Sequence, residues 1–246
     1  MPRPMKRPVL HGVLLGLVGL AAGAPAATAA PTAELMVVGR ERVLRDAASV
    51  RLTRHTVRVD GGRRCAVGAR TPLGVLAGAR LRLRIRDYGS CGRSPRDAGG
   101  LYVRQIQRER ERGRGGWVYK VGSRTGSAAA GDPAGPFGDR ALRRGARVLW
   151  FWCELSETGC QRTLVVRPSR RRAGAGEPVG VRVLGYDDEG RAAPVASAAV
   201  RLGGSRGTTG ADGRVTLEMP GGAARVRLTA SAPGTVHAFP VLLEKR

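Results

Sequence analysis

Aromatic residues are scarce in this chain, at 4% of 246 residues, and lysine is scarcer still. Only Lys6, Lys120 and Lys245 stand among 43 basic residues; the others are arginine. Acidic residues number 19, which leaves a formal net charge of +24. Each shortage excludes something. After the first thirty residues no apolar run approaches the ~18 residues that a helical membrane span needs. Four cysteines are too few for a disulfide-dense miniprotein. Glycine (37) and proline (15) provide turns without a three-residue period, so the chain is not collagenous. No C-x-x-C occurs, and His55 and His237 are the only histidines beyond the first thirty residues, so zinc-ligand spacing is missing. A phosphate loop, a dinucleotide fingerprint and an H-E-x-x-H helix are also missing. Hydrophobic residues at 42% suffice for a packed core.

What is present begins with an address. Arg3, Lys6 and Arg7 precede an apolar stretch over 9–22, and Ala27-Thr28-Ala29 supplies small residues for cleavage. Residues 1–30 are expected to be a secretory signal peptide, leaving a chain without a transmembrane span. The expected location is outside the cell or in the extracytoplasmic envelope. Charge is then unevenly spread. Residues 31–172 hold 31 Lys and Arg against 12 Asp and Glu, a net of +19, whereas 173–246 hold nine against seven, a net of +2. All four cysteines and all three tryptophans lie in the basic part. A chain so rich in Arg, Ala and Gly is also what a GC-rich genome encodes, so the charge has a compositional reading beside a functional one.

An even number of cysteines in an exported chain reads as disulfides. Cys153 ends the apolar run 147–153 and Cys160 opens 160–166, with Glu157-Thr158-Gly159 between them as turn composition. A hairpin centred there would bring Cys153 and Cys160 within bridging distance, and elimination pairs Cys65 with Cys91. Period-two alternation marks strands, most clearly over 80–88, where Leu81, Leu83 and Ile85 should face a core and Arg80, Arg82, Arg84 and Arg86 solvent. Thr71-Pro72-Leu73 opens a short helix with Thr71 as N-cap. Residues 101–106, 117–121, 147–154 and 161–167 read as further strands.

Gly116-Trp117-Val118-Tyr119-Lys120-Val121-Gly122, followed by Pro136-Phe137-Gly138 and by Gly145-Ala146-Arg147-Val148-Leu149-Trp150, resembles the transcobalamin C-terminal-like domain, a β-grasp-type module. The resemblance covers 48–167 and implies a helix after a leading hairpin, then the Trp/Tyr strand and a late strand. Transcobalamins hold a corrinoid between this domain and a large helical barrel, which this chain lacks. Residues 178–246 resemble a bacterial immunoglobulin-like or carboxypeptidase-regulatory-like module, with at least five short strands and a turn at Asp212-Gly213. The expected organisation is therefore a signal peptide (1–30), a lead segment (31–47), a β-grasp-like α+β domain with one short helix (48–167), a linker (168–177) and a small β-sandwich (178–246). The whole should be mostly β.

Function is sought in the basic part. Trp117 and Tyr119 share one face of a strand, and Trp150 and Trp152 one face of another. Four rings so placed form either a core cluster or a stacking surface for a small planar ligand, corrinoid-type in the transcobalamin reading. Arg80, Arg82, Arg84 and Arg86 repeat every ~6.6–6.8 Å along a strand, a spacing that suits an anionic envelope polymer or a lipid surface. Export and the lack of a nucleic-acid-binding motif argue against nucleic acid. Gly203-Gly204-Ser205-Arg206-Gly207 matches a nucleophile elbow by letter but lacks its strand-to-helix context, so it reads as a turn. Asp187-Asp188-Glu189-Gly190 lacks the spaced ligands of a calcium loop and reads as a solvated acidic turn. The sequence thus points to an exported, non-enzymatic binding protein with no cofactor and no metal; an uncharacterised hydrolase is the rival class.

Overall fold

The computed structural model describes residues 30–89 and 91–246, so the signal-peptide reading lies, except for Ala30, outside the described residues. The described chain is mostly β, with one short α-helix and one 3-10 turn. Its basic part runs β1 (Thr32–Val38), β2 (Val43–Arg51), β3 (His55–Arg58), β4 (Arg64–Val67), α1 (Pro72–Gly78) and β5 (Leu83–Asp87). A 3-10 turn (Pro95–Gly100) then leads to β6 (Leu101–Ile106), β7 (Glu109–Arg110), β8 (Gly115–Val121), β9 (Arg124–Thr125) and β10 (Arg147–Glu154). The remainder runs β11 (Thr163–Pro168), β12 (Arg172–Ala173), β13 (Pro178–Tyr186), β14 (Ala192–Pro194) and β15 (Ala199–Leu202). It ends with β16 (Ser205–Thr208), β17 (Arg214–Glu218), β18 (Arg225–Ser231) and β19 (Val241–Lys245).

The main sheet has the order β2-β1-β10-β8-β9, with β1 and β10 parallel at its centre and the other pairs antiparallel. Strand β10 is apolar without interruption from Val148 to Cys153 because both its faces are covered. Trp150 and Trp152 enter a core shared with α1 and with the two small sheets β3–β4 and β5–β6–β7. Leu149, Phe151 and Cys153 join Met36, Val38 and Val236 on the opposite face. A strand buried on both sides has no polar face to alternate with. The seven-residue α1 is too short to be stable alone and is held by burial of Leu73, Val75 and Leu76. Thr71 caps it as expected, its hydroxyl accepting from the Gly74 amide at 3.0 Å.

The second unit is a two-sheet sandwich. In one sheet β13 pairs with β11, β14 and β17; the other has the order β12-β19-β18-β15-β16. Val179, Val181 and Val183 meet Val200, Leu202, Leu228 and Leu243 in the core between them. The turn at Asp212-Gly213 closes no hairpin, because β16 and β17 belong to different sheets.

Several sequence expectations shift. The lead segment 31–47 is structural: β1 is an interior strand of the main sheet, between β2 and β10, and the expected boundary at 48 falls inside β2. The strand expected over 161–167 as the end of the first unit is β11, which pairs with β13; Leu164 and Val166 fill the sandwich core. The expected linker 168–177 contains β12, which pairs with β19. The disulfides are Cys65–Cys91 and Cys153–Cys160, the pairs read from the sequence, but no hairpin joins the latter. Strand β10 already has β1 and β8 as neighbours and offers no edge to β11. The bridge instead closes a loop that carries the chain from one unit to the other. Arg80 leaves the ladder: it follows the C-cap of α1 with φ of +56°, and β5 begins only at Leu83.

Candidate binding surface

The four rings singled out in the sequence meet as two cross-strand pairs. Trp150 lies opposite Tyr119 and Trp152 opposite Trp117 in the β10–β8 register. Tyr119 and Trp150 have centroids 5.5 Å apart, and Trp117 and Trp152 meet edge to face at 5.7 Å. Pairs of this kind contribute about 0.5–1.5 kcal/mol each beyond burial. All four are buried, and three polar tips are bonded. Trp117 Nε1 donates to Glu109 O at 3.0 Å, Trp150 Nε1 to Pro72 O at 3.3 Å, and the Tyr119 hydroxyl to Ala128 O at 2.5 Å. Burial pushes the Tyr119 hydroxyl up to about 12, and the charge of Asp132 adds to the rise. The cluster is part of the core. Three of its members nevertheless floor a cleft of 330 Å³ between β6 and β8, whose other walls include Tyr88, Tyr102, Leu101 and Val103. Trp152 is not among them; it lines a separate depression with Arg40, Arg112 and Arg114, the Arg40 guanidinium 5.6 Å above its ring.

The arginine ladder continues onto neighbouring strands. Arg84 pairs with Gln105 and Gln105 with Arg110, while Arg86 pairs with Tyr102. Directly paired residues project from the same face of a sheet. A bulge between Arg84 and Ile85 leaves Arg104 as the extra residue of β6, which puts Tyr102 and Gln105 on one face although they are three apart. The outer face of β5–β6–β7 therefore presents Arg84, Arg86, Tyr102 and Arg110 together. Tyr102 and Arg110 also line a 740 Å³ groove completed by Arg104, Arg112 and Arg114. Arg104 is neutralised by ion pairs to Glu111 and Asp60. Arg82, Arg84, Arg86, Arg110, Arg112 and Arg114 are exposed and make no ion pair among the described residues. Tyr88 and Tyr102 are exposed and tilted against each other at 6.4 Å, with the Arg86 guanidinium 4.8 Å over the Tyr88 ring. Burial and the Glu111 carboxylate hold the Tyr102 hydroxyl above its ordinary pKa.

The sequence reading gave no role to Lys120. Alternation sends it to the face opposite Trp117 and Tyr119, where it is fully buried between the two units. Its ammonium donates to the carbonyls of Asp187 (2.7 Å) and Tyr186 (3.1 Å) and to Thr163 Oγ1 (3.3 Å), with Asp188 Oδ1 at 3.8 Å. Burial lowers its pKa, and the carboxylates of Asp188, Asp187 and Glu189 oppose that. The acidic turn is thus a docking element rather than a solvated loop. Asp188 also accepts from Thr125 Oγ1 at 2.8 Å and from the Cys160 amide at 3.0 Å. One available signal was that Lys120 is a lone lysine in an apolar, alternating strand of a chain that otherwise uses arginine.

Ser205 opens β16 after the Gly203-Gly204 turn of the β15–β16 hairpin and donates to Glu218 O at 2.9 Å, so the elbow geometry is missing. Among the described residues no group of three or more His, Cys, Asp or Glu is placed to hold a metal ion, and no helix is long and apolar enough to cross a membrane.

No family model and no curated protein matches the chain. Among solved structures, native alpha-2-macroglobulin from Escherichia coli, in a crystal structure spanning domains NIE-MG1, is similar over 62% of this chain and 68% of that chain. The identity is 15% and the TM-score 0.26. A likeness this slight carries no functional argument.

Proposed function

We propose that this is an exported, non-enzymatic binding protein of the cell envelope or extracellular space that holds an anionic polymer along the outer face of β5–β6–β7. The observation that carries the reading is the continuity of exposed arginines, without an ion-pair partner among the described residues, from Arg84 and Arg86 across Tyr102 to Arg110, Arg112 and Arg114 at the groove. Cations spaced along a strand and then across a sheet match repeated negative charges better than one compact anion. The exposed Tyr88–Tyr102 pair adds a surface on which sugar or other rings can stack. Two disulfides and the basic, apolar N-terminal stretch support export. The sheet order β2-β1-β10-β8, with a parallel central pair and α1 packed on it, supports the β-grasp part of the transcobalamin-like reading. Ser205 sits at a hairpin turn with its hydroxyl donating to the Glu218 carbonyl rather than on a strand-to-helix elbow, which favours a binding role over hydrolysis at that residue.

The test is calorimetric titration of the full chain with heparin, a defined anionic polymer, from 50 mM to 500 mM salt. Affinity should fall steeply with salt, because exposed charges are screened within ~8 Å at physiological ionic strength. Salt-independent binding, or no binding at 50 mM, refutes the reading. Capture of phosphatidylglycerol vesicles in preference to heparin would move the proposal from polymer to lipid surface.

A further inference from the structure

We infer that the cleft between β6 and β8 is a separate binding site for a flat, apolar small molecule carrying one acidic group. The interior of the cleft offers ring faces and aliphatic side chains. Leu101 and Val103 line one side, and Trp117, Tyr119 and Trp150 form the floor. The hydrogen-bonding tips of those three rings are already engaged by the carbonyls of Glu109, Ala128 and Pro72. An occupant therefore meets apolar surface, where an unpaired polar group would be left unsatisfied.

The slot is thin. The strap Gly126-Ser127-Ala128-Ala129-Ala130 supplies its far wall through small residues. The strap lies against the Tyr119 ring so closely that a Cβ at Gly126 would sit 2.1 Å from it. A volume of 330 Å³ lies at the low end of the ~300–1,000 Å³ typical of small-molecule sites. It suits a fused two-ring system and excludes a macrocycle inside the slot. The mouth is different in kind. Tyr88 and Tyr102 stand there as an exposed pair, and the exposed Arg86, which has no ion-pair partner among the described residues, leans over Tyr88 at 4.8 Å. One cation at the lip of an apolar slot selects a ligand that buries its rings and leaves an acid outside.

This site does not rest on the polymer reading. Arg86, Tyr88 and Tyr102 at the mouth are common to both, but the buried slot residues Leu101, Val103, Trp117, Tyr119 and Trp150 are not on the outer face of β5–β6–β7. The probes are 2-naphthoate, its neutral isostere 2-naphthamide and the flexible acid decanoate, each titrated calorimetrically into the full chain. The expected result is saturable binding of 2-naphthoate, with 2-naphthamide and decanoate at least tenfold weaker. Arg86→Gln should bring 2-naphthoate to the level of the amide. Tyr88→Ala should weaken both naphthalenes at least fivefold. Both side chains are exposed, so circular dichroism melts should show these variants folded. Arg110→Gln/Arg112→Gln should weaken heparin binding and leave 2-naphthoate binding unchanged, which separates failure of one site from failure of the other. No saturable binding up to millimolar 2-naphthoate, equal affinity for the three probes, or a Tyr88→Ala variant that binds like wild type overturns the assignment.

Discussion

Replacing Lys120 with methionine isolates the contact that joins the two units. Methionine keeps an unbranched stem of similar length and removes all three N–H donors. The carbonyl oxygen of Tyr186 and the Thr163 hydroxyl then lose a donor in a buried position, and the Asp187 carbonyl loses one in a half-buried position. A buried acceptor left without a partner costs about 1–3 kcal/mol, so the two buried acceptors alone cost about 2–6 kcal/mol. Relief of ammonium desolvation, the effect that lowers the Lys120 pKa, offsets part of that. The expected net loss is about 2–4 kcal/mol, near the range for breaking one side of a buried charged contact. Urea unfolding followed by two signals reads it. Tryptophan fluorescence reports only the first unit, since Trp117, Trp150 and Trp152 all lie there, while far-ultraviolet circular dichroism reports both. In wild type the two transitions should coincide; in the variant the midpoint should fall and the transitions separate. A variant within about 0.5 kcal/mol of wild type, with coincident transitions, would refute the coupling role, because that is the range of a neutral surface change. The exposed Arg227–Asp46 ion pair, at 2.7 Å, is the comparison: Arg227→Ala should cost about 0–1 kcal/mol.

Three further outcomes follow from the same geometry. Cys65→Ser should destabilise the chain by about 2–5 kcal/mol in the same urea assay, and thiol titration of unreduced, denatured wild type should give none among Cys65, Cys91, Cys153 and Cys160. Tyr119, raised to about 12, keeps its proton in the folded state while an unfolded tyrosine loses it near ~10; its contribution is complete below ~10 and is lost as pH rises toward 12. Thermal melts between pH 9 and 11 should thus show a steeper alkaline fall for wild type than for Tyr119→Phe, and parallel profiles would contradict the shift. Gly126→Val should destabilise by about 1–3 kcal/mol, because its Cβ would meet the Tyr119 ring at 2.1 Å and the strap must move; an unchanged melting midpoint would show the strap is loose.

The fold was legible where one physical signal dominated. Leu83 to Arg86 alternate cleanly because β5 has one buried and one solvated face, and the Thr71-Pro72 start of α1 is local chemistry that tertiary contacts do not override. Legibility ended where a segment serves two partners. Strand β10 touches both units through opposite faces, so its sequence carries no boundary, and Leu164 and Val166 of β11 look the same whichever core receives them. The same sharing makes 31–172 a poor unit to isolate. Removal of 173–246 would strip the β13 partner from β11 and uncover Met36, Val38, Leu149 and Phe151. At the surface, the sequence placed the basic ladder along one strand, whereas hydrogen-bond register extends it across three. Arg110 reaches Arg84 through Gln105, a relation between positions 26 apart that no local period encodes.

A charge-matched comparison tests the binding surface most directly. One variant changes Arg84, Arg86, Arg110 and Arg112 to Gln; the control changes Arg182, Arg201, Arg206 and Arg225, four exposed arginines of the sandwich, to Gln. Net charge falls equally in both. Heparin affinity in 150 mM salt should drop at least ~tenfold, about 1.4 kcal/mol, in the first variant and stay within twofold of wild type in the control. Equal losses in the two would mean that binding follows bulk charge, and the continuous face on β5–β6–β7 would have no special role.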